Sequence, residues 1–390
     1  MSDNTARSWV LTDVARDIYV ERWEIAGGSA DLPPGTWKIS KRRLLGGRRD
    51  GVDIVEVDNG SMAFSVLATR GMGLWRGRYR DWPLEWQAPV AGPVHPAYVS
   101  LTDRHGLGWL DGFDEWICRC GLHSHGPPGT DPQTGEFLTL HGRIANLPAH
   151  YLEVQVVGGA APELRVIGHV DEVTLFFDHL RLISEIVTQP GSPRVLLRDR
   201  VQNLRSAPAD LEMLYHCQFG PPLLEEGSRF VAPVALIAAR DRQALPGIHR
   251  YDRYQGPTPG FAEEVYFFDL LCRPSGDTLV LLHNAAADRG VSLRFNKREL
   301  PYFVLWKNTG ALRDGYVTGL EPALNLPNFK AVEREKGRLV TLPPGGQWSA
   351  TIVVEIHEGL EAVRRVLTDI AELQRLAEPT VHTEPGWPDR

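Results

Sequence analysis

Short β-forming runs separated by turn residues recur along most of this chain, and this pattern restricts the fold more than any other feature. The 390 residues include 38 glycines and 29 prolines, the residue types that supply turns between strands. The first strong hairpin signal is Asp58-Asn59-Gly60, between runs rich in Val, Ile and Phe. Roughly fifteen to twenty strands follow from such spacing. The chain is therefore expected to be all-β.

The strand pattern continues without a linker or internal repeat and predicts one large antiparallel β-sandwich over residues 51–356. Residues 1–50 are interpreted as an N-terminal extension packed on the sandwich, and residues 379–390 as a polar tail. Residues 357–378 are predicted to hold a C-terminal helix, because apolar residues recur there at three- and four-residue steps. Residues 80–135 carry several tryptophans among prolines and glycines, and we expect a long functional loop there.

Composition excludes several classes of protein. A hydrophobic content of 43% allows a large core, and a net charge of -7 argues against nucleic-acid binding, which needs a basic face. No apolar run reaches the length of a membrane span, and no apolar segment follows the first seven residues as in a secretory signal. Four scattered cysteines are too few for a disulfide framework, which favours the reducing cytoplasm.

Three strand-like segments carry the residues best suited to chemistry. His141-Gly142-Arg143 combines an imidazole, a flexible glycine and a guanidinium fork that suits hydroxyl pairs or carboxylates. His216 ends an apolar strand before a Gly-Pro-Pro turn, and Glu321 lies between Leu320 and Pro322. A buried carboxyl has a raised pKa, in the range useful for base catalysis. We expect these segments to meet at one sugar-binding site.

Taken in order, these segments resemble the aldose 1-epimerase (galactose mutarotase) superfamily, in particular a branch described as domain of unknown function 4432. The similarity covers about residues 50–355. It rests on the His-Gly-Arg triplet, on the strand that ends in Tyr-His before Phe-Gly, and on Leu-Pro…Trp-Lys…Gly-Leu-Glu-Pro. The fold that this resemblance implies, a large antiparallel β-sandwich, agrees with the strand pattern.

The resemblance implies interconversion of sugar anomers by acid–base opening of the hemiacetal, without a cofactor. His216 would be the general acid, Glu321 the general base, and His141 would stabilise charge on the ring oxygen. The partner would be a small-molecule sugar, and a homodimer is left open. Asp269 lies between the second histidine and the glutamate, where the family has an aspartate that binds sugar hydroxyls, and Trp306 lies in a run that resembles the family strand just before the glutamate. Together with these two, further substrate contacts are expected from Arg70, Arg143 and Lys307.

Two alternatives follow from the same residues. The fold is also compatible with a non-catalytic carbohydrate-binding protein, because fold does not determine reaction. The other alternative is a metal-dependent epimerase or isomerase of a keto or acid sugar. It is suggested by His123 and His125, whose His-x-His spacing on a strand would place both rings on one face.

Overall fold

A computed structural model describes residues 6–28 and 32–388 of the chain. The first five residues of the predicted N-terminal extension, residues 29–31 and the last two residues of the predicted tail lie outside this part. Within it, helices are few: α1 (Asp103–Gly106), α2 (Lys330–Glu335) and α3 (Leu360–Gln374). None of the described helices has the length and apolar character needed to cross a membrane.

Strands make up most of the regular structure. The first half of the chain contains β1 (Ala6–Asp13), β2 (Ile18–Tyr19), β3 (Trp23–Ala26), β4 (Lys38–Arg43), β5 (Asp53–Asp58), β6 (Met62–Leu67), β7 (Gly73–Tyr79), β8 (Trp82–Pro83), β9 (Ile117–Leu122), β10 (Gly129–Thr130), β11 (Phe137–Leu138), β12 (Tyr151–Val157), β13 (Glu163–Val173), β14 (His179–Thr188) and β15 (Arg194–Asn203). The second half contains β16 (Ala209–Phe219), β17 (Arg229–Val231), β18 (Val234–Ala239), β19 (Glu264–Leu270), β20 (Asp277–His283), β21 (Arg289–Asn296), β22 (Tyr302–Asn308), β23 (Val317–Ala323), β24 (Val340–Leu342), β25 (Gln347–Glu358) and β26 (Thr380–Val381).

The strands form two large sheets that pack face to face. One has ten strands in the order β17-β20-β21-β25-β15-β14-β13-β12-β1-β2. The other has fourteen, with the central order β19-β22-β23-β16-β9-β7. Residues before 51 add strands to both sheets, β1 and β2 to the first and β3 and β4 to the second. Neighbouring strands are antiparallel, apart from the parallel pair β18 and β26. The predicted all-β sandwich is confirmed.

The main core lies between the sheets and follows from the alternation of side chains along each strand. Strands β12 to β15 bury every second residue and leave the others half-buried. A fully buried ion pair joins the sheets: Arg119 of β9 donates to Asp199 of β15 at 3.0 Å and to Ser184 of β14 at 2.8 Å. Helix α3 packs Val363, Ile370 and neighbouring apolar residues on the outer face of the ten-stranded sheet.

Strands β16 and β23 differ from most others because they are buried on both faces. Met213, Tyr215, Cys217 and Phe219 of β16 face the core between the sheets. The alternate residues point to the outer face of the fourteen-stranded sheet, where Leu214 belongs to a second apolar cluster. The long loop predicted for residues 80–135 contributes Trp109 and Phe113 to that cluster. This segment also contains β9, a central strand that the sequence pattern did not predict.

Candidate active site

A cavity of about 540 Å³ opens on the outer face of the fourteen-stranded sheet, a volume typical of small-molecule sites. Its floor is formed by side chains from β16, β22 and β23, including His216, Trp306 and Glu321. Its walls come from connecting segments, residues 107–113, 125–128, 140–141 and 327–332. The double-sided burial of the central strands therefore has a cause: the loops that cover their outer face enclose this cavity.

His216 and Glu321 lie opposite each other on neighbouring antiparallel strands. Cys217 pairs with Leu320 and Leu214 pairs with Ala323, a register that sets His216 against Glu321. Nε2 of His216 lies 3.2 Å from Oε1 of Glu321, but the alignment is poor and Oε1 has no hydrogen-bond partner among the described residues. Burial raises the pKa of the Glu321 carboxyl well above its usual range. Burial also lowers the pKa of His216 well below its usual range.

These opposite shifts favour the uncharged form of both groups, in which the carboxyl carries the proton that the pair can exchange. An acid and a base in contact, each with a perturbed pKa and both facing a cavity, are characteristic of active sites. The pair can give a proton at one atom and accept one at the other without changing its net charge.

Gln218 contacts the other ring nitrogen of His216. Its Nε2 lies 2.6 Å from Nδ1 of His216, while its Oε1 has no partner among the described residues. A side-chain amide has nearly the same shape in its two orientations. When the amide presents Oε1, Nδ1–H of His216 donates to it and Nε2 is left to exchange protons with Glu321 or a ligand. Gln218 therefore controls which nitrogen of His216 carries hydrogen.

Gly319 leaves room for the Glu321 carboxylate. The two residues point to the same side of β23, and a Cβ added at Gly319 would lie 2.3 Å from Oε1 of Glu321. The same Cβ would approach Cε3 of Trp306 to 3.2 Å. Glycine at this position therefore lets the carboxylate lie close over the strand backbone.

His141 lies in a left-handed turn, with φ of 57° at His141 and 69° at Gly142. Gly142 is required because a Cβ there would lie 2.0 Å from the Ser124 carbonyl oxygen. Nδ1 of His141 donates to the carbonyl of His125 at 3.1 Å. Burial lowers the pKa of His141 to about 4, so its ring is neutral and Nε2 is an acceptor. The predicted role, stabilisation of charge on a ring oxygen, would need a donor at this nitrogen.

Aromatic rings enclose the histidines. Trp109 lies 4.6 Å from His141 and 6.1 Å from His216, measured between ring centroids. Phe113 and Trp306 approach His216 to 5.1 Å and 5.3 Å. Trp306 was predicted as a substrate contact, and it lines the cavity. Trp109 and Phe113 were not assigned to the site, although the run of tryptophans in residues 80–135 was the signal for them.

A family profile described as "Domain of unknown function (DUF4432)" matches residues 49–356. The chain belongs to this family. A comparison with curated protein sequences found no match.

Solved structures place the DUF4432 protein in a fold group. The structure of a proposed aldose 1-epimerase from Klebsiella pneumoniae subsp. pneumoniae MGH 78578 is similar with a TM-score of 0.95 and 34% identity, over 98% of this chain and 100% of that one. A galactose mutarotase-like protein from Clostridium acetobutylicum has a TM-score of 0.50 and 14% identity, over 79% and 96% of the two chains. Galactose 1-epimerase from Lactobacillus acidophilus NCFM has a TM-score of 0.51 and 13% identity, over 87% and 99%. The fold is galactose mutarotase-like, as the sequence resemblance implied.

Four of the predicted sugar contacts of this DUF4432 protein do not line the cavity. Arg70 is buried and bonded to Glu115, Asn146 and two carbonyls, so its donors are occupied. Lys307 is also buried and donates to the carbonyls of Arg250 and Arg253. A buried charge needs hydrogen-bond partners, and backbone carbonyls supply some of them for both cations. Both cations therefore tie loop segments together.

The other two lie in different places. Asp269 pairs with Lys297 near the far end of β19. Arg143 donates to Thr174 at 3.1 Å and lines a separate cavity of about 360 Å³ with His123. Residues 141 and 142 form a left-handed turn rather than a strand, and Arg143 lines a different cavity from His141.

The two histidines proposed as alternative metal ligands also diverge. They follow the end of β9 at Leu122, so no strand holds both rings on one face. His123 contacts Asp178 and Glu136, whose acceptors raise its pKa to about 9 against the effect of burial. His125 donates to Asn325 at 3.3 Å, and burial lowers its pKa to about 4. No group of three potential ligands is placed to hold a metal ion within residues 6–28 and 32–388.

Proposed function

We propose that this protein interconverts the anomers of a sugar by acid–base opening and closing of the hemiacetal, an aldose 1-epimerase type of isomerisation. The observation that carries the proposal is the buried His216–Glu321 pair on the floor of the cavity. The likeness to a proposed aldose 1-epimerase over nearly the whole chain supports the same reaction class.

Ring opening needs one proton acceptor and one proton donor. Glu321, as carboxylate, takes the proton from the anomeric hydroxyl, and the bond between C1 and the ring oxygen breaks. The electrons of that bond move to the ring oxygen, which takes a proton from Nε2 of His216. The open-chain aldehyde rotates about its C1–C2 bond. Ring closure on the other face returns one proton to His216 and withdraws one from Glu321, so nothing is consumed.

The shared proton of the pair suits this cycle. Transfer from Glu321 to Nε2 of His216 across 3.2 Å converts the neutral pair into carboxylate and imidazolium, which are the base and the acid that the first step needs. Rotation of the Gln218 amide, which would bring Oε1 rather than Nε2 to Nδ1, would stabilise that imidazolium. General acid–base groups of this kind contribute on the order of 10²–10⁴ in rate.

The remaining residues position the sugar. Trp109 and Trp306 offer ring faces on which the C–H face of a sugar packs. Nε2 of His141, an acceptor in the neutral ring, receives a hydrogen bond from a sugar hydroxyl and orients the ring over the pair.

Exchange between anomers, measured by NMR magnetisation transfer for a panel of free aldoses, tests the proposal. We expect acceleration by the wild type for at least one aldose, and a loss of about 10²–10⁴ in kcat/KM for Glu321→Gln, which keeps the shape of the side chain. Glu85→Gln is the matched control, because Glu85 does not line the cavity.

Sugar binding by the wild type without accelerated exchange would contradict the proposal and favour a carbohydrate-binding protein. Full activity of the Glu321→Gln variant would remove Glu321 from the mechanism.

A further inference from the structure

The polar groups at the floor of the cavity differ from those at its mouth in whether their hydrogen bonds are satisfied within the protein. On the floor, Oε1 of Glu321 has no hydrogen-bond partner among the described residues, and His216 lines the cavity beside it while His141 lines the wall. At the mouth, Arg240 and Glu263 are the charged residues that line the cavity. Among the described residues that line the walls, Nε1 of Trp109 and Nδ1 of His125 also have no hydrogen-bond partner.

The charges at the mouth satisfy one another. Arg240 donates to Oε1 of Glu263 at 3.0 Å and to Asp241 at 2.9 Å. The other oxygen of Glu263 accepts from Nε1 of Trp306 at 2.7 Å. One guanidinium is thus shared by two carboxylates, and no second Lys or Arg among the described residues lines the cavity. A phosphate or carboxylate on the substrate would meet a mouth with no surplus positive charge.

Apolar side chains occupy the rest of the mouth and are left in contact with water. Leu107, Leu110 and Val332 line the cavity, yet they are 36%, 45% and 39% exposed. Pro127, Pro128 and Phe329 also line the cavity. This apolar rim, defined as Leu107, Leu110 and Val332, would be stabilised by covering it with apolar atoms.

We propose that the substrate is an uncharged aldose that carries an apolar group, such as a deoxy carbon or an alkyl or aryl substituent, on the side remote from the anomeric carbon. The anomeric end lies on the floor against His216 and Glu321, and the apolar group lies against the apolar rim. This inference rests on the proposed function and specifies its substrate class.

The test compares matched sugars in the NMR exchange assay. For each of several ring stereochemistries, the parent hexose, its 6-deoxy counterpart and its 6-phosphate are measured with the wild type. We expect kcat/KM for the accepted 6-deoxy sugar to exceed that of its parent by about tenfold, the scale of one group in an apolar pocket. The 6-phosphate is expected to be the poorest of the three.

Two variants locate the effect. Leu110→Ser should reduce the ratio of 6-deoxy to parent kcat/KM to near one, because it makes the rim polar. Leu45→Ser is the matched control, since Leu45 is also exposed, at 65%, but does not line the cavity; it should leave the ratio unchanged. Sedimentation of the wild type and of Leu110→Ser tests whether a second copy of the chain covers the rim instead.

The outcomes separate the two proposals. If no sugar of the panel exchanges faster, the proposed function fails and the inference fails with it. If parent hexoses exchange as fast as 6-deoxy sugars, if 6-phosphates are preferred, or if Leu110→Ser keeps the ratio, only the inference is overturned. A dimer that Leu110→Ser dissociates would assign the rim to a subunit interface and also overturn the inference.

Discussion

Substitution of Gly319 by alanine should damage catalysis without touching either member of the acid–base pair. The added Cβ would lie 2.3 Å from Oε1 of Glu321, whereas ordinary contacts begin at 3.4 Å, so the carboxylate must move by about 1 Å. A displacement of that size costs on the order of 100-fold in rate when reacting groups must be aligned. The obstructed atom is the far end of a side chain, and the backbone at Gly319 is not left-handed. We therefore expect the free energy of unfolding to change by about 1 kcal/mol or less.

The assay is anomer exchange followed by NMR, together with urea denaturation. Gly310→Ala is the matched control, because a Cβ there would meet only Oδ1 of Asn308, at 3.5 Å. It should keep both activity and stability. A Gly319→Ala protein that is as stable as the wild type and exchanges anomers within twofold of its rate would refute the reasoning, since the position of the Glu321 carboxylate would then not matter.

Three further predictions concern protonation and the buried charges. The rate should fall at low pH, when His216, whose pKa is lowered well below its usual value of about 6.5, gains a second proton. It should also fall at high pH, when Glu321, whose pKa is raised well above its usual value of about 4.3, loses its proton. A pH–rate profile with a single limb would contradict a shared proton. Gln218→Glu should move the acid limb of the profile to higher pH, because a carboxylate at Nδ1 raises the pKa of His216. Gln218→Leu should lower the rate by about threefold to tenfold without shifting that limb. Equal pH–rate profiles for both variants would exclude Gln218 from positioning His216. Arg119→Met leaves Asp199 buried without its cation and should cost about 3–5 kcal/mol of unfolding free energy in urea, and a loss below about 1 kcal/mol would contradict a structural role for this pair.

His216 and Glu321 could be singled out because they interrupt strands that are otherwise apolar, and the family resemblance supplied their proposed roles as acid and base. His216 and Glu321 each stand in a run of buried residues, where a titratable group is unusual. His141 was identified by the same reasoning, with help from Gly142. The register that brings His216 and Glu321 together could not be predicted, because it depends on strand pairing between residues about a hundred positions apart.

The walls of the cavity escaped prediction for a different reason. Trp109 and Phe113 lie in a loop whose course is determined by what it covers, and loop sequences have no periodicity to read. Strand β9 was missed because Cys118-Arg119-Cys120-Gly121 lacks the β-branched and aromatic residues that indicate strands. The cations were misplaced because a sequence does not show which carboxylate or carbonyl will satisfy them: Arg70 meets Glu115, 45 positions away.

Burial alone does not distinguish the carboxyl proposed as the general base, and comparison of three buried acids identifies what does. Asp199 is fully paired by Arg119 between the sheets. Burial raises the pKa of Glu212 to about 8, and one of its oxygens accepts from the backbone N–H of His125 while the other has no partner among the described residues. Glu321 shares the raised pKa and the unsatisfied oxygen, but it alone of the three lines the cavity. An unsatisfied buried acceptor costs about 1–3 kcal/mol. At Glu321 a ligand hydroxyl can recover that energy by donating to Oε1, whereas Glu212 does not reach the cavity. Access, added to burial, is therefore the reason that the proposed mechanism gives the proton transfer to Glu321 rather than to Glu212.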